Sequence, residues 1–243
     1  HAPLGIQRKL AERGYWGYDF ALPFLGLEAL LARSASALLA YLRDRPARLF
    51  TMLDCHDGIP VKPDLDGLVD EAAARRVVDL CVARGADLSR IRTRSFASPS
   101  GFDVHQIRCA LFSALDGDED AHVAARAIQL FAPGIPQVYY VGLLAGSNDE
   151  EEAKRSGDGR GLNRHNYTMR EIEEAAERSV VRRLARLLRL RNECPVFDGR
   201  FSARGAGGSA LELSWENGAS RAALAVDLAT REATDLTPGM KRL

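Results

Sequence analysis

Residues Phe50 to Leu68 read FTMLDCHDGIPVKPDLDGL. The apolar run Phe50 to Leu53 stops abruptly at Asp54, Cys55, His56 and Asp57, and Gly58 leads into a loop rich in proline and aspartate. This pattern predicts a buried strand over Arg48 to Asp54 with polar groups at its C-terminal mouth, followed by loop over Asp57 to Asp66. An imidazole and a carboxylate are both costly to desolvate, so this pair either closes a turn or does chemistry. By residue type alone, Asp57 opens an Asx-type turn before Gly58 and His56 packs beside it.

Working outward, strands and helices alternate. Upstream, Tyr15 to Leu22 (YWGYDFAL) is aromatic-rich, lies between Gly14 and Pro23, and reads as a short strand. Phe24 to Leu42 has apolar residues at helical spacing. Downstream, Glu71 to Arg84 reads as an amphipathic helix stopped by Gly85, and Asp87 to Gly101 as a mobile surface loop. Val104 to Leu115 and Asp118 to Phe131 read as two helices, the second capped at or near Asp118. Ile135 to Leu144 (IPQVYYVGLL) is a continuous apolar run that suits a strand buried on both faces. Gly146 to Tyr167 is polar and irregular, and a long amphipathic helix spans Met169 to Asn192. Beyond Phe197 the texture changes: Gly205 to Gly208 is flexible, and two alternating segments flank the turn Asn217-Gly218 like antiparallel strands. The fold class is therefore α/β with parallel strands, divided into residues 1–195 and a small β domain over 196–243. Three barrel-type strands, near Tyr15, Arg48 and Ile135, are fewer than the eight that close a (β/α) barrel, so the sheet is either open or part of a barrel.

Composition excludes several function classes. The 243 residues carry 33 basic and 33 acidic side chains, so no basic excess exists to neutralise nucleic-acid phosphates. No apolar stretch reaches the ~20 residues of a membrane span, and no signal peptide is visible, though the chain does not begin with Met. Cys55, Cys81, Cys109 and Cys194 form no CxxC pair and read as reduced thiols of a cytoplasmic protein; Cys55 reads as a small core filler rather than a reactive thiol. No metal-ligand spacing, glycine-rich phosphate cradle or cofactor motif appears.

The segments YDFALP, LDCHDGI, FDVHQI, FAPGIPQVYYVGLLAG and GRGLNRH occur together and in this order. In combination they resemble the sucrose phosphorylase group of the α-amylase superfamily, from His1 to about Arg191 and more weakly to the end. The resemblance implies a TIM barrel with a small C-terminal β domain, and reversible transfer of an α-glucosyl group between a small glucoside and inorganic phosphate. It places this chain as the C-terminal half of such an enzyme, carrying barrel strands six to eight. His1 resembles the histidine that follows the family's acid/base glutamate, so that glutamate and the nucleophilic aspartate are expected upstream. The chain would need that missing half to act.

The same resemblance assigns the site residues. Asp57 matches the aspartate that stabilises the transition state, with His56 beside it on the sugar. Arg160, in GDGRGLNRH, matches an arginine that contacts the glucosyl unit; an arginine fork suits vicinal hydroxyls and carboxylates. Arg164 and His165 are left open between structural and functional roles. Asp103, His105 and Gln106 match the loop that lines the acceptor and phosphate subsite. His105 stands where sucrose phosphorylases proper show tyrosine, which puts fructose recognition in doubt; a protonated histidine there, with Arg108 or Lys62, would suit an anionic acceptor. LDCHDGIPVKPDLDGL with FDVHQIR looks most like the glucosylglycerate phosphorylase branch. The alternatives are sucrose or sucrose 6′-phosphate phosphorylase, a related α-glucosidase or transglucosidase, and a non-catalytic amylase-like binding module. Asp19 reads as structural, Tyr139, Tyr140 and Trp215 as core, and Asp149 to Glu152 as a solvated loop or helix start.

Overall fold

A computed structural model describes residues 4–61, 67–90, 102–205 and 208–237. Three short parallel strands position everything that follows. β1 (Gly17–Asp19) pairs with β2 (Leu49–Thr51), which pairs with β6 (Ile135–Pro136). The links between them are helical: α2 (Leu22–Ala32) and α3 (Ser36–Asp44) between β1 and β2, then α4 (Glu71–Ala83), α5 (Leu111–Ala114) and α6 (Glu119–Phe131) before β6. This is the β-α-β grammar of a parallel sheet. α1 (Leu4–Glu12) precedes β1. Among the described residues, no helix is long and apolar enough to cross a membrane.

α2 is apolar almost all round and nearly every side chain on it is buried, as expected of a helix enclosed by core. Its start is fixed by Asp19, whose Oδ1 accepts from the Ala21 and Leu22 amides at 3.2 and 3.0 Å and from the Tyr41 hydroxyl at 2.6 Å. Asp19 Oδ2 meets Arg45 at 2.6 Å with both side chains fully buried. Asp19 is thus a structural tie between β1, α2 and α3, as its sequence context indicates.

The helix expected over Phe24 to Leu42 is two helices. Arg33, at φ 55°, turns the chain left-handed, and its amide closes back on the Ala29 carbonyl. Likewise the single helix expected over Met169 to Asn192 is α9 (Met169–Glu177) and α10 (Ser179–Glu193), separated at Arg178, which is extended at ψ 141°. The helix expected over Val104 to Leu115 is instead β5 (Val104–Arg108) followed by the single turn α5. β5 is the centre of an antiparallel sheet with β3 (Ile59–Pro60) and β4 (Asp87–Arg90) on its two sides. The supposed loop at Asp87 is therefore strand to Arg90, and residues 91–101 lie outside those described. The strand expected over Ile135 to Leu144 ends at Pro136. The chain then turns into α7 (Tyr140–Leu143), with Ile135 and Tyr140 exposed.

The polar stretch after α7 holds α8 (Glu150–Ser156) and a 3-10 turn over Gly159–Asn163. α4, α6 and α8 are capped by Asp70, Asp118 and Asp149, each accepting from an amide three residues on. α10 runs into a 3-10 turn, Pro195–Asp198, and then a four-stranded antiparallel sheet in the order β10-β9-β8-β7: β7 (Arg200–Arg204), β8 (Ala210–Asn217), β9 (Ser220–Asp227) and β10 (Glu232–Asp235). Asn217 pairs with Ser220 across the turn at Gly218. Trp215 is core, and it also joins this sheet to the rest: its indole donates to the Phe131 carbonyl of α6 at 2.7 Å and its ring packs on Phe197 and Phe201.

Candidate active site

β2 delivers the chain through buried Met52, Leu53 and Asp54 to Cys55. Cys55 and Gly58 exchange both backbone hydrogen bonds, at 2.9 and 2.8 Å. His56 and Asp57 are therefore the two central residues of a tight hairpin tip. Gly58 is required there: its φ is +99°, and a Cβ would collide with the Ile107 carbonyl of β5 directly behind it. The turn is thus clamped between the parallel sheet that delivers it and the antiparallel sheet that backs it.

Two guanidiniums converge on the Asp57 carboxylate. Arg160 Nε lies 2.6 Å and Arg164 Nη2 3.2 Å from Asp57 Oδ1. His56 Nε2 lies 3.5 Å from Oδ2. Arg164 Nε also donates to the His56 carbonyl at 2.9 Å, so this one side chain holds both residues of the turn. The Asp57 charge in turn holds the Arg160 guanidinium above its ordinary pKa. All four side chains are partly open to solvent. A charge ladder extends outward: Asp158 meets Arg160 at 3.4 Å and Arg108 at 4.0 Å, and Arg108 meets Asp87 at 2.9 Å.

Residues 163–165 form a strap tied to the Cys55–Gly58 turn through the side chains of Asn163 and Arg164, and to Tyr139 and Tyr140 through the carbonyls of Asn163 and His165. Asn163 is buried and donates to the Cys55 carbonyl at 2.8 Å, while its own carbonyl accepts from Tyr139. Arg164 faces the turn. The His165 carbonyl accepts from the Tyr140 hydroxyl at 2.9 Å. Tyr139 and Tyr140, expected in the core of a strand, therefore prop the strap instead.

Of the residues expected at the site, His56, Asp57 and Arg160 come together, and Gln106 reaches the same turn with its Nε2 3.9 Å from Cys55 Sγ. Asp103 and His105 take other partners: Asp103 meets Arg90 at 2.5 Å, and His105 Nε2 lies 3.4 Å from Ser89 Oγ on β4. Burial first, and then the Arg108 charge, push the His105 imidazole below its ordinary pKa of 6.5. Lys62 lies outside the described residues. Arg164 and Asn163 were the residues the sequence did not assign. The signal for Arg164 was its spacing of four from Arg160 across a tight helical turn; Asn163 carried none. Among the described residues, no cluster of three or more His, Cys, Asp or Glu side chains could hold a metal ion.

No family model matches the chain. Over 234 residues it is 53% identical to a sucrose 6(F)-phosphate phosphorylase from Thermoanaerobacterium thermosaccharolyticum, covering 96% of this chain and 48% of that protein. It superimposes on a crystal structure of sucrose 6F-phosphate phosphorylase from Thermoanaerobacter thermosaccharolyticum with a TM-score of 0.94 and 51% identity, covering 100% of this chain and 50% of that one. The chain is a homologue of the sucrose phosphorylase group. Its α/β architecture is that of part of the barrel of these enzymes, with their small antiparallel β domain. It is also 40% identical to a glucosylglycerol phosphorylase from Marinobacter adhaerens, over 94% of this chain and 47% of that protein. Identity to a glucosylglycerate phosphorylase from Escherichia coli is lower, 27%, although LDCHDGIPVKPDLDGL with FDVHQIR looks most like that branch. The chain spans about half the length of the curated relatives it matches.

Proposed function

We propose that this chain supplies the second half of the catalytic barrel of a retaining α-glucosyl phosphorylase, which moves glucose reversibly between a small glucoside and inorganic phosphate. The observation that carries this is the convergence of Arg160, Arg164 and His56 on Asp57, at the C-terminal mouth of β2. Retaining glycosyl transfer passes through an oxocarbenium-like state that needs a nucleophilic carboxylate, an acid/base carboxyl and groups that grip the sugar hydroxyls more tightly as charge develops. Asp57 fills the third role. The two arginines hold Oδ1, so Oδ2 and the exposed His56 ring beside it would together meet vicinal hydroxyls. The nucleophile and acid/base belong to a segment outside this chain, so the chain alone does not turn over.

For the acceptor, a sugar phosphate of the sucrose 6F-phosphate type is the first choice. It rests on the 53% identity to an enzyme named for that substrate and on the guanidiniums of Arg160 and Arg164 at Asp57, with Arg108 linked to Arg160 through Asp158. Glucosylglycerate is the second reading, favoured by the motif combination around His56 and His105. The test is phosphate release from α-glucose 1-phosphate by the whole parent protein with fructose 6-phosphate, D-fructose and D-glycerate as acceptors. Release led by fructose 6-phosphate supports the first choice, and release led by glycerate supports the second. Hydrolysis of maltose-type substrates, with no acceptor-dependent release, sinks the phosphorylase reading.

A further inference from the structure

His165 makes two contacts that no role so far requires. Its Nδ1 lies 2.5 Å from Asp149 Oδ2, and its Nε2 3.3 Å from Glu171 Oε1. Each of those carboxylates uses its other oxygen on a helix end. Asp149 Oδ1 accepts from the Glu152 amide at the start of α8. Glu171 Oε2 closes the capping box of α9, accepting from the Thr168 amide and hydroxyl at 2.6 and 2.8 Å. The Asp149 amide donates to the Leu162 carbonyl at 2.9 Å, so the start of α8 is also tied to the residue that precedes the strap. The His165 ring also stacks edge-on against Tyr167, 4.4 Å between centroids.

We propose that His165 is a positioning residue for the Asp57 site: its imidazolium locks the strap onto the first turns of α8 and α9, and so holds Arg164 on Asp57. Residue 164 is one Cα step, about 3.8 Å, from residue 165; its side chain holds Asp57 while that of His165 holds Asp149 and Glu171. A shift of residue 165 therefore moves the backbone from which Arg164 reaches Asp57.

The charge state matters because both partners are carboxylates. The imidazolium donates from both nitrogens; the neutral ring donates from one and turns a lone pair toward the other carboxylate. The hydrogen bond to Asp149 raises the His165 pKa from its ordinary 6.5, burial opposing, and the Glu171 contact adds to it. Asp149 and Glu171 are correspondingly lowered from 3.8 and 4.5, in each case first by a backbone hydrogen bond. The clamp is thus whole once the carboxylates have ionised, and it opens as pH rises through the raised His165 pKa. Other charged or titratable groups face this cluster: Glu150, Glu151 and Lys154 from α8, Tyr140 from α7, Tyr167 just after the strap and Arg178 between α9 and α10. Arg178 is held by the Leu144 and Ala145 carbonyls and Glu119.

The activity readout rests on the phosphorylase reading; the spectroscopic one does not. In the whole parent protein, labelled at histidine and arginine nitrogens, the His165 ring should titrate above 6.5 and the Arg164 Nε–H resonance should follow the same curve. Asp149→Asn keeps the cap on α8 and should move both curves acidward. For phosphate release, the wild type should show an alkaline limb in kcat/KM at that pKa. His165→Gln should lose about five- to tenfold in kcat/KM near pH 6 and show no limb. An Arg164 resonance indifferent to His165 titration overturns the proposal. So do wild-type and His165→Gln pH profiles that differ only by a constant factor, the mark of a merely structural role. Absence of release in the wild type sinks the phosphorylase reading and leaves the resonance test to decide this one.

Discussion

Gly58 sets the geometry of the Asp57 turn, because its φ of +99° and the Ile107 carbonyl behind it leave no room for a side chain. Gly58→Ala should destabilise the whole protein by more than ~1 kcal/mol and swing Asp57 off its arginines, measurable as a lowered denaturation midpoint together with lost turnover. At this scale much was legible. By position alone Asp57 and His56 read as a turn, and it is the family resemblance that singles out both, together with Arg160. Arg164 and Asn163 were not legible, because their importance comes from the strap folding back across more than a hundred positions of sequence onto Cys55, His56 and Asp57. The sequence could not show that His105 would lie beside Ser89 of β4, where burial and then the Arg108 charge lower its pKa. Local sequence carries residue type and spacing, but not what the fold stacks against them.

α6 binds the parallel strands together through a buried polar network. Arg126 meets Asp54 at 2.6 Å and Gln129 at 2.9 Å, and Gln129 donates to the Thr51 and Gln137 carbonyls. Gly142 lies so close that a Cβ would strike both Arg126 and Asp54. Arg126→Met alone strands a buried carboxylate and should cost about 3–5 kcal/mol, whereas the double change with Asp54→Leu should recover most of it; denaturant titration of the three variants checks this. His122, one turn earlier on α6, is fully buried with its Nε2 2.8 Å from the Gly142 carbonyl, and burial lowers its pKa from 6.5 to about 3. The unfolded chain binds a proton near 6.5 that the folded one refuses until about 3. Its contribution to stability is therefore full above 6.5 and is lost as pH falls through that window. His122→Gln should flatten the acid limb of stability between these limits; denaturation curves of wild type and variant that run parallel in pH would contradict this. The capped helices α4 and α6 and the parallel strands were readable as elements from periodicity and turn residues. β5 was not: apolar Val104 and Ile107 lie three apart, which suits a helix, and only pairing with β3 and β4 makes the segment a strand. The breaks at Arg33 and Arg178 were hidden because neither uses glycine or proline.

Across the whole molecule, the parallel sheet among the described residues stops at β1 and β6. Tyr15, Trp16, Tyr18 and Ile135, at or beside these edges, are each more than two-fifths exposed. Open strand edges flanked by aromatic side chains invite pairing with other chains. The 243-residue chain expressed alone should self-associate, seen by size exclusion with light scattering; a monomer with a cooperative melt would count against this and against a barrel shared with a further segment. The order of strand, helix and polar strand end left an open sheet and part of a barrel equally possible; the family resemblance pointed to the barrel fragment. The acceptor was not legible, because it depends on side chains from more than one loop, part of which lies outside the described residues.

The most direct test of the account compares wild type and Asp57→Asn in the whole parent protein, measuring kcat and KM for phosphorolysis. A carboxylate that grips the sugar mainly in the transition state should, when neutralised, lower kcat by about 10²–10³ with KM changed far less. A kcat within a few-fold of wild type would contradict it, and the Asp57 turn would then be a structural feature of the barrel mouth.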